Sequence, residues 1–257
     1  MHRVGSMITR LIRPFALPAL LLAVLEWWAR TVGVGSDAVA APSAAALAFG
    51  QAVKDGSLLA ATSFTLGSAA LGLAVASVFG IGLGTLLGLS RRAASVSFLS
   101  IEVLRPIPSV ALIPLAMLVF GFGLRMEVSV IAFACAWPML ILSQAAVRQV
   151  EPCLLEVAQA LQLSASERFF KIVLPAIVPR LFVALRLGVA IALVVAVTVE
   201  IAANPHGMGY ALMIAQQSLD PALMLAWLCW IGVVGYTVNS LAMRLQHGVE
   251  VRMGRQA

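Results

Sequence analysis

A chain of 257 residues with 61% hydrophobic and only 11% charged residues is too apolar for a water-soluble domain. The net charge of +6 comes from basic residues standing at the ends of apolar runs, which argues against a nucleic-acid partner and for a membrane orientation signal. Cys135, Cys153 and Cys229 are odd in number and scattered, which speaks against a disulfide framework or a metal-like pairing and for small hydrophobic filler.

A helix crossing the hydrocarbon core needs about 20 predominantly apolar residues. The first such run, Ile12–Trp28, ends on Trp27 and Trp28, which suit the membrane interface. Ala38-Val39-Ala40 looks like a signal cleavage site but lies too far beyond the apolar stretch, so residues 1–57 read as an uncleaved span and an outer loop. The second run, Leu58–Leu89, exceeds one span, and Leu58 to Thr65 is expected to lie along the outer interface. Gly80, Gly84 and Gly88 recur every four residues within it. No strand precedes them, so they read as a bare helix face that lets another helix approach closely, not as a nucleotide loop.

Further spans are expected at Val103–Phe122, Val128–Val147, Leu181–Ala203 and Ala222–Leu245. The fold class is therefore all-α integral membrane with about six spans, residues 58–247 forming the main membrane domain and 248–257 a tail. With the N-terminus inside, only Arg30, Lys54 and Arg125 among the basic residues fall on the far side, so both termini and the segment after the fourth span are expected in the cytoplasm.

That segment, Glu151–Arg180, is the polar interruption in an apolar chain. Pro152 suits a first helical turn, and Leu154, Val157, Ala158 and Leu161 follow at helical spacing. Ser164 with Glu167 is a capping-box pattern opening a second helix, whose Phe169, Ile172 and Val173 share a face until Pro175. Two short helices joined near Gln162–Leu163 result. Their apolar faces fit a docking element for a soluble partner, and equally an amphipathic hairpin lying on the protein's own spans.

The run Glu156-Val157-Ala158, then Gln162, Phe169 and Ile172-Val173-Leu174-Pro175, resembles the cytoplasmic EAA loop of permeases in binding-protein-dependent ABC importers. Leu104-Arg105-Pro106-Ile107-Pro108, Ile113-Pro114-Leu115 and Phe120-Gly121-Phe122-Gly123 resemble span three of the nitrate, sulfonate and taurine subgroup. Leu185-Arg186-Leu187-Gly188, Glu200 and Gly207-Met208-Gly209-Tyr210 resemble its fifth span and following loop. The resemblance runs from Leu58 to Gln246 and implies a type I importer fold in a bacterial inner membrane. It also implies partners: cytoplasmic ATPase subunits, a periplasmic or secreted substrate-binding protein, and a second permease subunit forming a homodimer. Glu156, Val157, Ala158, Gln162, Phe169, Leu174 and Pro175 map onto ATPase-docking positions. Four features depart from the pattern: Gln162 stands at the usual bend glycine, Val157 at an alanine, Ser68 at an arginine, and Ala202-Ala203-Asn204-Pro205-His206 is atypical.

Neither lysine, Lys54 or Lys171, ends a glycine-rich phosphate loop, so ATP and magnesium are expected on a partner ATPase and no catalytic, cofactor or metal residue in this chain. Two ionisable residues are pathway or gate candidates. Glu200 stands near the outer end of span five, where a structural partnership competes with gating, and Arg105 lies near the inner interface, where snorkelling competes with a pathway role. The expected function is the permease of an importer for a small solute such as a sulfonate, taurine or nitrate. A secondary transporter or channel without an ATPase is the alternative, and with no histidine in a span an intramembrane enzyme is disfavoured.

Overall fold

The computed structural model describes residues 17, 20–31 and 40–253, and the regular elements among them are all helical. Two compact units are formed, Met1–Ala60 with Ala211–Gly232, and Ala61–Tyr210 with Val233–Ala257.

In the first unit, helix α1 covers residues 20–31 and α2 covers Pro42–Lys54. Ser43, in the first turn of α2, donates its N–H and hydroxyl to the Glu26 carboxylate at 2.9 and 2.7 Å, and Arg30 pairs with the same carboxylate at 2.5 Å. The acid that interrupts the first apolar run thus ties α1 to α2. Trp27 and Trp28 stay exposed, as interfacial anchors require. The expected span Ile12–Trp28 otherwise lies largely outside the described residues.

Helix α3, Ser57–Leu89, is unbroken over 33 residues and enters both units. Leu58–Thr65, the segment expected along the outer interface, is helical and continuous with the rest of α3. No proline breaks it, and the Thr65 hydroxyl bonds back to the Ala61 carbonyl at 3.1 Å.

Within the second unit, Ser90 caps α4 (Arg91–Leu104) by accepting the Ala93 N–H at 3.2 Å. Pro106 and Pro108 then stop the helix. A 3₁₀ turn at Ser109–Leu112 leads into α5 (Ile113–Phe120), and the two arms meet at 82°. Val103–Phe122 is therefore a broken element rather than the straight span expected from its hydropathy. Gly121 (φ 72°) and Gly123 (φ 109°) supply the left-handed backbone that turns the chain into α6, Leu124–Arg148.

Helix α6 is the centre of this unit. Its Met126, Val130, Ile131, Cys135 and Met139 are buried against Ala69 and Ala76 of α3, Ile113 and Ala116 of α5, and Ala192, Val195, Ala196 and Val199 of α9 (Leu174–Ala202). The glycine face of α3 does what its spacing implies. A Cβ on Gly80 would lie 2.8 Å from the Ala136 carbonyl oxygen, and on Gly84 2.3 Å from that of Leu140. Backbone meets backbone there, and packing rather than water exclusion holds apolar helices together in lipid. On the opposite face Val75, Phe79, Leu83 and Leu86 are exposed, as a lipid-facing surface would be.

Helices α10 (Gly207–Gln217) and α11 (Pro221–Arg252) are the last among the described residues. Four helices among the described residues are long and apolar enough to cross a membrane, or five with the bent pair taken as one.

Candidate functional site

The segment Glu151–Arg180 folds as two helices, as its signals imply, but only the first stands apart. Helix α7, Pro152–Ala160, starts on Pro152 with Glu151 as N-cap. Its apolar residues divide between two sides. Ala158 is 1% exposed and Leu155 packs onto the cluster of Val147, Val150, Val173 and Ile177. Leu154, Val157 and Leu161 form a second stripe that remains 39%, 46% and 64% exposed. The four apolar positions expected on one face are therefore split, with Ala158 inward. Of the seven expected docking residues, Glu156, Val157, Gln162 and Pro175 are exposed, Ala158 is buried, and Phe169 and Leu174 pack against the inner cluster.

Gln162 makes the bend itself. It adopts φ 51°, its N–H donates to the Gln159 carbonyl at 2.9 Å, and the Leu163 N–H donates to the Ala158 carbonyl at 3.0 Å. This pair of bonds is the Schellman closure that usually carries glycine. A glutamine in left-handed backbone costs about 1 kcal/mol relative to glycine. Gln162→Gly is thus expected to stabilise the protein by about that amount, read as a rise in its detergent melting temperature, with no change in the helix boundaries.

The second helix opens as α8, Ala165–Arg168, with the full capping box: Ser164 Oγ accepts the Glu167 N–H at 3.3 Å, and Glu167 accepts the Ser164 N–H at 3.1 Å. It does not end at Pro175. A single π turn, Phe169–Val173, widens the ladder so that the Leu174 N–H reaches the Phe169 carbonyl, and α9 follows without a break. Pro175 lacks an N–H and its ring crowds the carbonyl four residues back, a conflict relieved by local widening of the helix.

At the other end of α9 lies a buried polar knot. Glu127 and Glu200 are both 0% exposed, as are Thr65 and Ser68, with Asn204 at 1%. Ser68 Oγ and Asn204 Nδ2 each donate to a different oxygen of Glu127. Ser68 Oγ also reaches the Thr65 carbonyl at 3.0 Å, and the Thr65 hydroxyl accepts the Met208 N–H at 2.9 Å. Glu200 accepts the Gly209 N–H at 2.8 Å, placing a carboxylate at the N-terminus of α10, where the helix dipole favours it. Gly207 and Gly209 are required by this approach, since a Cβ on either would lie 2.0 Å from Glu200 Oε1 or 2.3 Å from the Val197 carbonyl oxygen. His206 stacks on Phe64 beside the knot with centroids 5.1 Å apart. Glu127 is absent from the sequence-based candidates. Its signal was a lone acid within an apolar run. Ser68 and Asn204, two departures from the expected pattern, turn out to be its partners.

Arg105 lies beyond α4, paired with Glu102 at 3.7 Å. It lines two cavities, one of 980 Å³ that also reaches Leu155 and Gln159 of α7, and one of 500 Å³ walled by Phe133, Trp137 and Ile191.

Residues 76–255 match the family model of the binding-protein-dependent transport system inner membrane component. The chain is 28% identical over 230 residues to the putative aliphatic sulfonates transport permease protein SsuC of Bacillus subtilis, covering 90% of this chain and 83% of that one. It is 31% identical over 170 residues to the nitrate import permease protein NrtB of Synechocystis, covering 66% and 62%. An inward-facing structure of the MetNI methionine ABC transporter superposes with a TM-score of 0.65 at 18% identity, covering 76% of this chain and 97% of that chain. The chain therefore has the fold of a type I importer transmembrane subunit, and it belongs to the family of inner membrane permease components of binding-protein-dependent ABC transport systems.

Proposed function

We propose that this permease carries a small oxyanion of the sulfonate or nitrate class into the cytoplasm, driven by a separate ATPase that docks on α7. The similarity to permeases named for aliphatic sulfonates and for nitrate supports the substrate class. The docking reading rests chiefly on one observation, the exposed stripe of Leu154, Val157 and Leu161 on a helix that packs its other side onto the protein. A helix lying on its own spans has no need of a second apolar face, whereas a partner groove does. On this reading Glu151–Arg180 and both termini lie in the cytoplasm, as the distribution of arginines favours. ATP and magnesium are held by the ATPase, a substrate-binding protein delivers solute from the outside, and a second copy of the chain completes the pathway in the inner membrane.

The test is Val157→Asp beside Glu156→Lys in the assembled transporter. Placing a charge in the apolar stripe with Val157→Asp, or reversing the one beside it with Glu156→Lys, is expected to weaken ATPase association by about 2 kcal/mol, roughly thirtyfold, and to abolish uptake. Uptake and ATPase copurification left intact in both variants would leave a secondary transporter or channel as the better reading.

A further inference from the structure

The larger cavity is lined by Arg91, Arg105, Arg148 and Arg168 against one acid, Glu102. These guanidinium groups come from four places: the N-terminal turn of α4, the residue after its last turn, the end of α6, and α8. Glu102 is engaged with Arg105, and Arg91, Arg148 and Arg168 have no ion-pair partner among the described residues. Uncompensated positive charge converging on a concave wall concentrates anions. Arginine also presents the planar fork that fits an oxyanion. The cavity is not polar throughout, since Phe98, Ile101 and Leu155 line it too. The adjoining 500 Å³ cavity is mostly apolar, with Phe133, Leu187 and Ile191 in its wall. Both cavities include Arg105 and Ile141. A ligand that fits the pair has an oxyanion head and a short apolar tail.

We propose that the two cavities are successive compartments for an organic oxyanion, with Arg105 holding the head group where they meet and the arginine-lined cavity serving as its anion-binding vestibule on the α7 side. This rests on the oxyanion class named above and deepens it by assigning residues. An anionic lipid carries the same chemistry, a charged oxygen head on an apolar chain, and is the second source to be distinguished.

The experiment uses the full-length chain in phosphatidylcholine nanodiscs, titrated calorimetrically with 1-pentanesulfonate, inorganic sulfate and 1-pentanol. Pentanesulfonate is expected to bind, sulfate more weakly for want of a tail, and pentanol not at all. Arg105→Gln is expected to weaken pentanesulfonate about tenfold, the loss of one charge-assisted contact, while Arg105→Lys retains part of the binding. The triple change Arg91→Gln, Arg148→Gln, Arg168→Gln is expected to weaken it further still. In a parallel arm phosphatidylglycerol is added and retained lipid is read by native mass spectrometry. Lipid retained by the wild-type protein and lost in the arginine variants, with sulfonate displaced or absent, supports the site with lipid as its occupant. Two results overturn the proposal: no arginine-dependent binding of either anion source, or sulfonate affinity unchanged in Arg105→Gln and in the triple variant, each protein melting as wild type does. Binding needs no ATPase, so a failure here is separable from a failure of docking at Val157.

Discussion

Gly84→Val is expected to cost about 3 kcal/mol and to leave little folded protein after detergent extraction. Even the first added carbon would lie 2.3 Å from the Leu140 carbonyl oxygen and 2.9 Å from the Ser143 Cβ. Neither contact is with the far end of a flexible side chain, so α3 must move off α6. Because α6 also packs on α5 and α9, that displacement disrupts the core of the whole second unit. The control lies two residues away on the same helix. Nothing stands within 4 Å of the position a Cβ on Gly82 would occupy, and Gly82→Val is expected to change stability by no more than about 0.5 kcal/mol. Thermal melting of the two variants in one detergent checks both, and equal effects would show that the glycine face does not hold the helices together.

Glu127→Leu is the second large effect. The leucine removes the acceptor of both Ser68 Oγ and Asn204 Nδ2, leaving the buried Asn204 amide unpaired and Ser68 Oγ with only the Thr65 carbonyl, at a cost of about 2 kcal/mol. Removing the partners as well, in Ser68→Ala with Glu127→Leu and Asn204→Leu, is expected to restore most of that loss, because a group that has been deleted no longer needs a hydrogen bond. The signature is this non-additivity rather than the size of the single effect. A triple variant no more stable than Glu127→Leu alone would mean that the three residues do not act as a unit.

These two sites differ in how far the sequence discloses them. The spacing of Gly80, Gly84 and Gly88 implies a contact face, because period and residue size are both local properties. The capping box at Ser164 and Glu167 is legible for the same reason. Glu127 is not, since its partners lie 59 and 77 residues away in the chain and no local pattern announces them. The bend inside Val103–Phe122 had its signal in Pro106 and Pro108, but a hydropathy reading sums apolar residues without asking whether they lie on one axis. Helical spacing groups Leu154, Val157, Ala158 and Leu161, but which side of α7 is covered depends on the cluster around Val147 and Ile177, which belongs to other helices. Gln162 contradicts a residue preference, not a geometry. The left-handed turn is formed regardless, because two backbone bonds close it.

From Ala165 to Ala202 the chain is one continuous helix of 38 residues, widened at the Phe169–Val173 π turn, so no non-helical segment separates the second half of the loop from the span. The helix is gripped near Gly188, where the Cys135 thiol meets the Gly188 carbonyl at 3.6 Å and an added Cβ would lie 2.4 Å from Met139 Cε. If that grip acts as a fulcrum, the arms are unequal. A tilt of about 10° moves Ala165 by about 6 Å and Glu200 by about 3 Å in the opposite sense, at 1.5 Å of rise per residue. On that geometry the α8 end would travel about twice as far as the carboxylate that caps α10, and by the same ratio the force would be greater at the carboxylate.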